Sequence, residues 1–246
     1  MKLITPAPAV TRFTENFKAP KRGETILFDA QSYMDWASFV LPQMIGMKPL
    51  PYDRSRVLKE AKAVGQYYFY VRRLEPVGCT LWGQEGRSTL PMGRKQRKTY
   101  CAFTDAVDIP IVCNRFLDPI MSLTPSEVLT LRSQVRLAHG QVAIAGLGMG
   151  WLTRRVLDRT KVEHVTVVEK DPGILAYFGE PIKQQYGDRV TLVCADAYEF
   201  DYAKHDVVLW DIWYGYSDSN SDPKFHQIAT DLIQQGKVCT GWGYVH

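Results

Sequence analysis

Residues 142–171, VAIAGLGMGWLTRRVLDRTKVEHVTVVEKD, constrain this chain more than any other stretch. Val142-Ala143-Ile144-Ala145 is an apolar run of strand length, and Gly146-Leu147-Gly148-Met149-Gly150 is a glycine-rich turn. From Trp151 to about Arg159, Leu152, Val156 and Leu157 recur at helical spacing. Val165-Thr166-Val167-Val168 then reads as a second strand, ending in Glu169, Lys170 and Asp171. Strand, glycine turn, helix and acid-tipped strand make a βαβ unit suited to a nucleotide-like ligand. The glycines let the backbone turn sharply and approach a ligand with no Cβ in the way. The helix N-terminus points its free N–H groups over the turn. Glu169 falls at the tip of the neighbouring strand, where a carboxylate accepts both hydroxyl hydrogens of a ribose.

The spacing discriminates between ligands. The dinucleotide fingerprint G-x-G-x-x-G/A fits at Gly146 and Gly148, but its third position is Trp151, whose bulk opposes close packing of helix on strand. NAD and FAD are therefore disfavoured. The pattern present is G-x-G-x-G, at Gly146, Gly148 and Gly150, and it resembles motif I of the class I S-adenosylmethionine-dependent methyltransferases.

The remainder of the second half extends this unit. Pro172 to about Gln185 reads as a crossover helix, and Val190–Cys194 as a strand followed by Ala195-Asp196-Ala197. Asp206–Trp210 is a strand ending in Asp211-Ile212-Trp213-Tyr214. Lys224–Gln235 is a helix closed by Gly236, and Lys237–Thr240 opens a last strand. Strands alternating with helices predict an α/β fold with a doubly wound, mostly parallel Rossmann-like sheet, whose ligands sit at the carboxyl ends of the strands. Three successive strands end in an acid, Glu169, Asp196 and Asp211.

Residues of about 140–246 thus resemble a class I methyltransferase core. The resemblance implies S-adenosyl-L-methionine as a small-molecule donor, held by Gly146, Leu147, Gly148, Gly150, Glu169, Lys170, Asp196, Ala197 and Asp211. It places Glu169 on the ribose hydroxyls, Asp196 with Ala197 at the adenine, and Asp211 to Tyr214 beside the sulfonium and the acceptor. Ile144 stands where many members carry an acid two residues before the first glycine. The sequence ends at His246, near the fifth strand, so the core is expected to be C-terminally truncated.

Residues 1–120 read as an N-terminal α+β region, a substrate-side cap, ahead of a donor-binding core over 121–246. Pro6, Pro8, Pro20 and Gly23 mark an extended lead-in. Helices are expected over Ala30–Leu41, stopped by Pro42, and over Arg54–Gly65, ended by its glycine. Tyr67–Leu74, Cys79–Trp82, Thr99–Phe103 and Ile109–Cys113 read as strands, with Pro110 arguing for a sheet edge. Thr124-Pro125-Ser126-Glu127 opens a helix as a capping box. A strand-rich N-terminal domain, followed by a polar segment with a glutamate (Ser122 to Glu127), resembles the spermidine synthase branch of the same superfamily. Arg87, Arg94, Lys95, Arg97 and Lys98 form a short basic loop that reads more readily as a solvated hairpin than as a phosphate contact.

Methyl transfer from a sulfonium needs alignment and exclusion of water more than acid–base chemistry. Asp211 is the candidate base for an amine acceptor and Tyr214 an aromatic wall, whereas Trp213 reads as core packing. Asp211-Ile212-Trp213-Tyr214 is not the Asp-Pro-Pro-Tyr of amino methyltransferases, so the acceptor stays open between a small amine and nucleic acid. Two alternatives share the fold. One is aminopropyl transfer, with Asp211, Asp218 and Asp222 holding a polyamine; the other is a non-catalytic donor-binding module. The scattered five cysteines and five histidines show no ligand spacing, so no metal is expected. A net charge of +4 demands no anionic partner. With no apolar run of membrane-spanning length, a soluble cytoplasmic protein is expected, its oligomeric state left open and a homodimer included.

Overall fold

The computed structural model describes residues 9–20, 25–75, 100–214 and 218–243. The expected strand Cys79–Trp82 and the basic loop Arg87 to Lys98 lie outside them. The chain divides into two compact units. The first comprises Met1–Glu60, Tyr70–Ile111 and Ser122–Leu129; the second comprises Ala61–Phe69, Val112–Met121 and Thr130–His246.

In the first unit β1 (Val10–Thr11), β2 (Thr25–Phe28) and β5 (Tyr100–Phe103) form a parallel sheet in the order β1-β2-β5. Helix α1 (Ala30–Val40) starts at Asp29, whose side chain accepts from the Ser32 amide at 2.8 Å, and stops ahead of Pro42. It buries Tyr33, Ala37 and Val40. Phe13, Phe28, Tyr33 and Phe103 pack at centroid separations of 5.1 Å (Phe13–Phe28), 5.3 Å (Phe13–Tyr33) and 4.8 Å (Tyr33–Phe103). The buried Tyr33 hydroxyl donates to the Leu123 carbonyl at 2.7 Å, so its polar end is satisfied.

The second predicted helix is shorter than expected. Helix α2 covers Arg54–Glu60, and Lys62–Val64 is strand β3, which pairs antiparallel with β4 (Tyr67–Leu74), Val64 opposite Tyr67. The glycine read as a helix stop is a hairpin turn. Gly65 has φ +57°, and Gln66 is not among the positive-φ residues, so Gly65-Gln66 is a type II′ turn. This turn is seated on Asp171 and Gly173. A Cβ on Gly65 would lie 1.9 Å from Asp171 Oδ1, and one on Gly173 would lie 2.2 Å from Gly65 N. Gly65→Ala should therefore destabilise the fold by about 2–4 kcal/mol, combining a left-handed backbone with overpacking. Thermal melting measures it, and an unchanged midpoint would mean the turn is not held there.

A four-stranded sheet runs β3-β4-β6-β7, with β6 at Val107–Cys113 and β7 at Pro119–Ser122. Pro110 is thus in an interior strand rather than at an edge. Its carbonyl still serves the structure, accepting from the Leu123 amide at 3.2 Å. Helix α3 (Pro125–Leu137) follows, starting as the capping signal predicts.

The second unit holds a five-stranded, wholly parallel sheet. Its strands are β8 (Gly140–Ala145), β9 (Val162–Glu169), β10 (Val190–Cys194), β11 (Val207–Trp210) and β12 (Val238–Gly241), in the order β10-β9-β8-β11-β12. Val142 to Ala145 and Val207 to Trp210 are fully buried, as strands covered on both faces must be. Ile144 is one of them. The helices are α4 (Trp151–Leu157), α5 and α6 (Pro223–Gln234). Segment α5 is α-helical over Pro172–Ile174 and Glu180–Tyr186 but π-helical over Leu175–Gly179. Pro181 explains the wide turn, because it has no N–H to donate and its ring would clash with the carbonyl four residues back. The chain runs outward from β8 to β10, then returns to β11 beside β8. This reversal opens a crevice at the carboxyl ends of β8 and β11.

Candidate functional site

Four strand ends meet at this crevice. After Ala145 the glycine turn leaves β8, and its first residue has φ +91°. The Gly146 amide donates to the Val168 carbonyl at 2.8 Å, and the Asp211 amide donates to the Ala145 carbonyl at 2.8 Å. A Cβ on Gly146 would lie 2.3 Å from the Asp211 carbonyl oxygen, so the turn rests directly on the loop after β11. Gly148, at φ +58°, is different: among the described residues only Met121 Sδ comes near, 3.5 Å from where its Cβ would be. Gly150 takes the close-packing role, since its Cβ would overlap Ile182 Cδ1 at 2.5 Å. Trp151 is then free to be buried in the core behind it.

Glu169 is tied to the turn. Its Oε2 accepts from the Leu147 amide at 3.1 Å and its Oε1 from the Asp171 amide at 2.9 Å. Two backbone donors fix the carboxylate at the strand tip before any ligand arrives. Lys170 follows, its carbonyl facing Cys194 Sγ at 3.7 Å. Asp171 is spent on structure: Oδ1 caps α5 through Gly173 and Ile174 at 2.7 and 3.1 Å, and Oδ2 accepts from Gln66 at 3.3 Å. On the next strand Asp196 is exposed, with Oδ1 accepting from the Tyr198 amide at 2.9 Å, while Ala197 is buried.

The segment after β11 divides by side chain. Asp211 is half-buried and Tyr214 is 64% exposed. Trp213 packs edge-on to Phe225 at 5.0 Å and stacks on Trp210 at 6.2 Å, so it belongs to the core. Its indole N–H donates to Asp222 Oδ2 at 2.9 Å. Asp222 also accepts from the Tyr198 hydroxyl and, at 3.1 Å, from the Phe225 amide, which leaves little of it for a polyamine.

One residue on this side was not foreseen. The hairpin turn delivers Tyr67, whose hydroxyl bonds with that of Tyr214 and accepts from Gln66 Nε2 at 3.1 Å. Burial, then the Tyr214 hydroxyl and the Glu169 and Asp171 carboxylates, push the Tyr67 phenol up to about 12. The aromatic run after Gly65-Gln66 was visible in the sequence, but nothing local ties it to Glu169.

In the polar segment before the sheet, Glu127 keeps the capping box, its amide donating to Thr124 Oγ1 at 3.5 Å and its Oε2 accepting from the Thr124 hydroxyl at 3.4 Å, and its carboxylate reaches further, to Ser122. Its carboxylate takes the Ser122 amide at 3.1 Å and the Ser122 hydroxyl at 2.5 Å. Burial raises its pKa, against the hydrogen bonds from Ser122 and Thr124. Among the described residues no group of three or more His, Cys, Asp or Glu could hold a metal ion, and no helix is long and apolar enough to cross a membrane.

No family model and no curated protein matches the chain. Solved structures similar to it include the 23S rRNA methyltransferase ErmE, at 21% identity over 45% of this chain and 42% of that one, TM-score 0.34. A dimethyladenosine transferase from Plasmodium falciparum matches at 17% identity over 47% and 38%, TM-score 0.35. A spermidine synthase from Thermotoga maritima matches at 23% identity over 42% and 43%, TM-score 0.29. In each case the match spans less than half of the other chain. The likeness to these structures, each under 25% identical, is one of fold alone.

Proposed function

We propose that this chain is an S-adenosylmethionine-dependent methyltransferase whose donor is held by Gly146, Leu147, Gly148, Gly150, Glu169, Lys170, Asp196, Ala197 and Asp211. The observation that carries the reading is Glu169, fixed by two backbone donors at the tip of the strand beside the glycine turn. The residues fit such a ligand: among the described residues the backbone at Gly148 is open on the side a Cβ would occupy save for Met121 Sδ at 3.5 Å, and Glu169 is tied to the adjoining Leu147 amide. When bound, the donor supplies a methyl group already activated by its sulfonium. The chain's own work is to orient and to exclude water. Asp211, whose amide donates to the Ala145 carbonyl and so anchors it at the strand end, would take a proton from an acceptor, and Tyr214 with Tyr67 forms a polar-edged aromatic wall. Residues 121–246 serve the donor in this reading, and 1–120 serve the acceptor. Aminopropyl transfer is less favoured because the Asp222 carboxylate is already occupied.

Calorimetric titration with S-adenosylmethionine and S-adenosylhomocysteine tests the reading, and absence of binding by folded protein would sink it. Glu169→Gln should weaken donor binding by about 1.5–3 kcal/mol, the scale of hydrogen bonds to a charged group. It should also lower the ligand-free melting midpoint, since the Leu147 and Asp171 amides no longer share a carboxylate. Unchanged affinity in this variant would leave Glu169 as a structural tie alone.

A further inference from the structure

A single carboxylate joins the two loops that the proposed function uses at opposite ends of the donor. Asp222 is the N-cap of α6, and its Oδ1 accepts from the Phe225 amide at 3.1 Å. Its Oδ2 takes two further donors, the Trp213 indole N–H at 2.9 Å and the Tyr198 hydroxyl. Trp213 lies between Asp211 and Tyr214. Tyr198 follows Asp196 and Ala197, and its amide is bonded to Asp196. Both rings also rest on Trp210, Tyr198 at 5.4 Å and Trp213 at 6.2 Å. Lys224 Nζ sits 5.5 Å from the Tyr198 ring centroid, closing the far side. Burial opposes the Asp222 charge, but the Tyr198, Phe225 and Trp213 hydrogen bonds prevail and hold its pKa below the ordinary value. Capping α6 needs one oxygen; the other is committed to the loops.

We infer that Asp222 is a positioning residue that locks the loop after β10 to the loop after β11, so that Asp196 and Asp211 keep a fixed separation. Asp222 acts through Tyr198 and Trp213. The inference rests on the methyltransferase reading for its purpose but not for its test.

Asp222→Asn separates capping from locking. Asparagine caps helices as well as aspartate does, and its carbonyl oxygen keeps the Phe225 bond. Its amide nitrogen is a donor only and cannot accept from an indole N–H or a donating hydroxyl. Hydrogen exchange in the ligand-free protein should then quicken about tenfold or more in both 195–200 and 211–214, with α6 still protected. Tyr198→Phe should quicken mainly 195–200, and the double variant should match Asp222→Asn alone, because one carboxylate mediates both effects. Affinity for S-adenosylhomocysteine should fall about tenfold in Asp222→Asn and be restored in Asp222→Glu if that carboxylate regains Trp213. Unchanged exchange in the two loops, loss of α6 protection instead, or additive single effects would each overturn the inference. Failure of the unaltered protein to bind S-adenosylhomocysteine overturns the methyltransferase reading, while the exchange comparison still decides the coupling.

Discussion

Gly146→Ala is expected to cripple the fold, and Gly148→Val to leave the fold standing while abolishing donor binding. The two glycines share a motif and a positive φ, at +91° and +58°. They differ in what surrounds them. A methyl group on Gly146 meets the Asp211 carbonyl oxygen at 2.3 Å, a backbone atom in a loop anchored to Ala145, so the clash is relieved only by moving β11's exit. Left-handed backbone and overpacking together come to about 2–5 kcal/mol, a large share of the ~5–15 kcal/mol that holds a domain together. At Gly148 the neighbourhood among the described residues is open apart from Met121 Sδ at 3.5 Å, and that thioether end is mobile enough to yield. The valine there carries only the backbone penalty, worth a few degrees in melting midpoint, but its branches fill the space a ligand needs. Melting curves and calorimetry on both variants check this. A wild-type melting curve for Gly146→Ala, or retained donor affinity in Gly148→Val, would refute the respective half.

The second unit was readable because a parallel sheet buried on both faces writes itself as unbroken apolar runs. Val142–Ala145 and Val207–Trp210 are such runs, followed by Gly146 and Asp211, whereas Val190–Cys194, at the sheet edge, is interrupted by Thr191 and partly exposed. The first unit was harder, since its signals are punctuation with more than one meaning. Gly65 ends a helix on paper, but a glycine with φ +57° also makes a II′ hairpin turn, and burial of Val64 against its surroundings chose the latter. Pro110 argued for an edge, yet one missing N–H can be accommodated in an interior strand when its carbonyl finds Leu123. The glycine motif revealed where a ligand approaches but not which glycine does what: close packing falls to Gly150 against Ile182, and seating of the β11 loop to Gly146. Tyr67 beside Glu169, and Asp222 between Tyr198 and Trp213, are products of tertiary packing between distant segments. No local pattern announces them.

Asp211→Asn should separate binding from chemistry. The main chain at Asp211 is held by the hydrogen bond from its amide to the Ala145 carbonyl and by the contact of its carbonyl with Gly146. Asparagine therefore keeps the loop in place, with the same size and one acceptor oxygen, but it cannot take a proton at neutral pH. If Asp211 is a general base, donor affinity survives and turnover falls by about 10²–10⁴. If it only orients the donor, affinity falls and the rate at saturation holds. A screen over small amines, tRNA and DNA must first supply an acceptor, after which single-turnover rates of the two proteins are compared. Normal turnover in the asparagine variant would remove Asp211 as the base. The phenols across the crevice are poor replacements in that event, because Tyr67, pushed up to about 12, stays protonated near neutrality. Its hydroxyl can align an acceptor but cannot relieve it of a proton. The acceptor atom would then have to be one that is nucleophilic without losing a proton first, as in a neutral amine or a ring nitrogen.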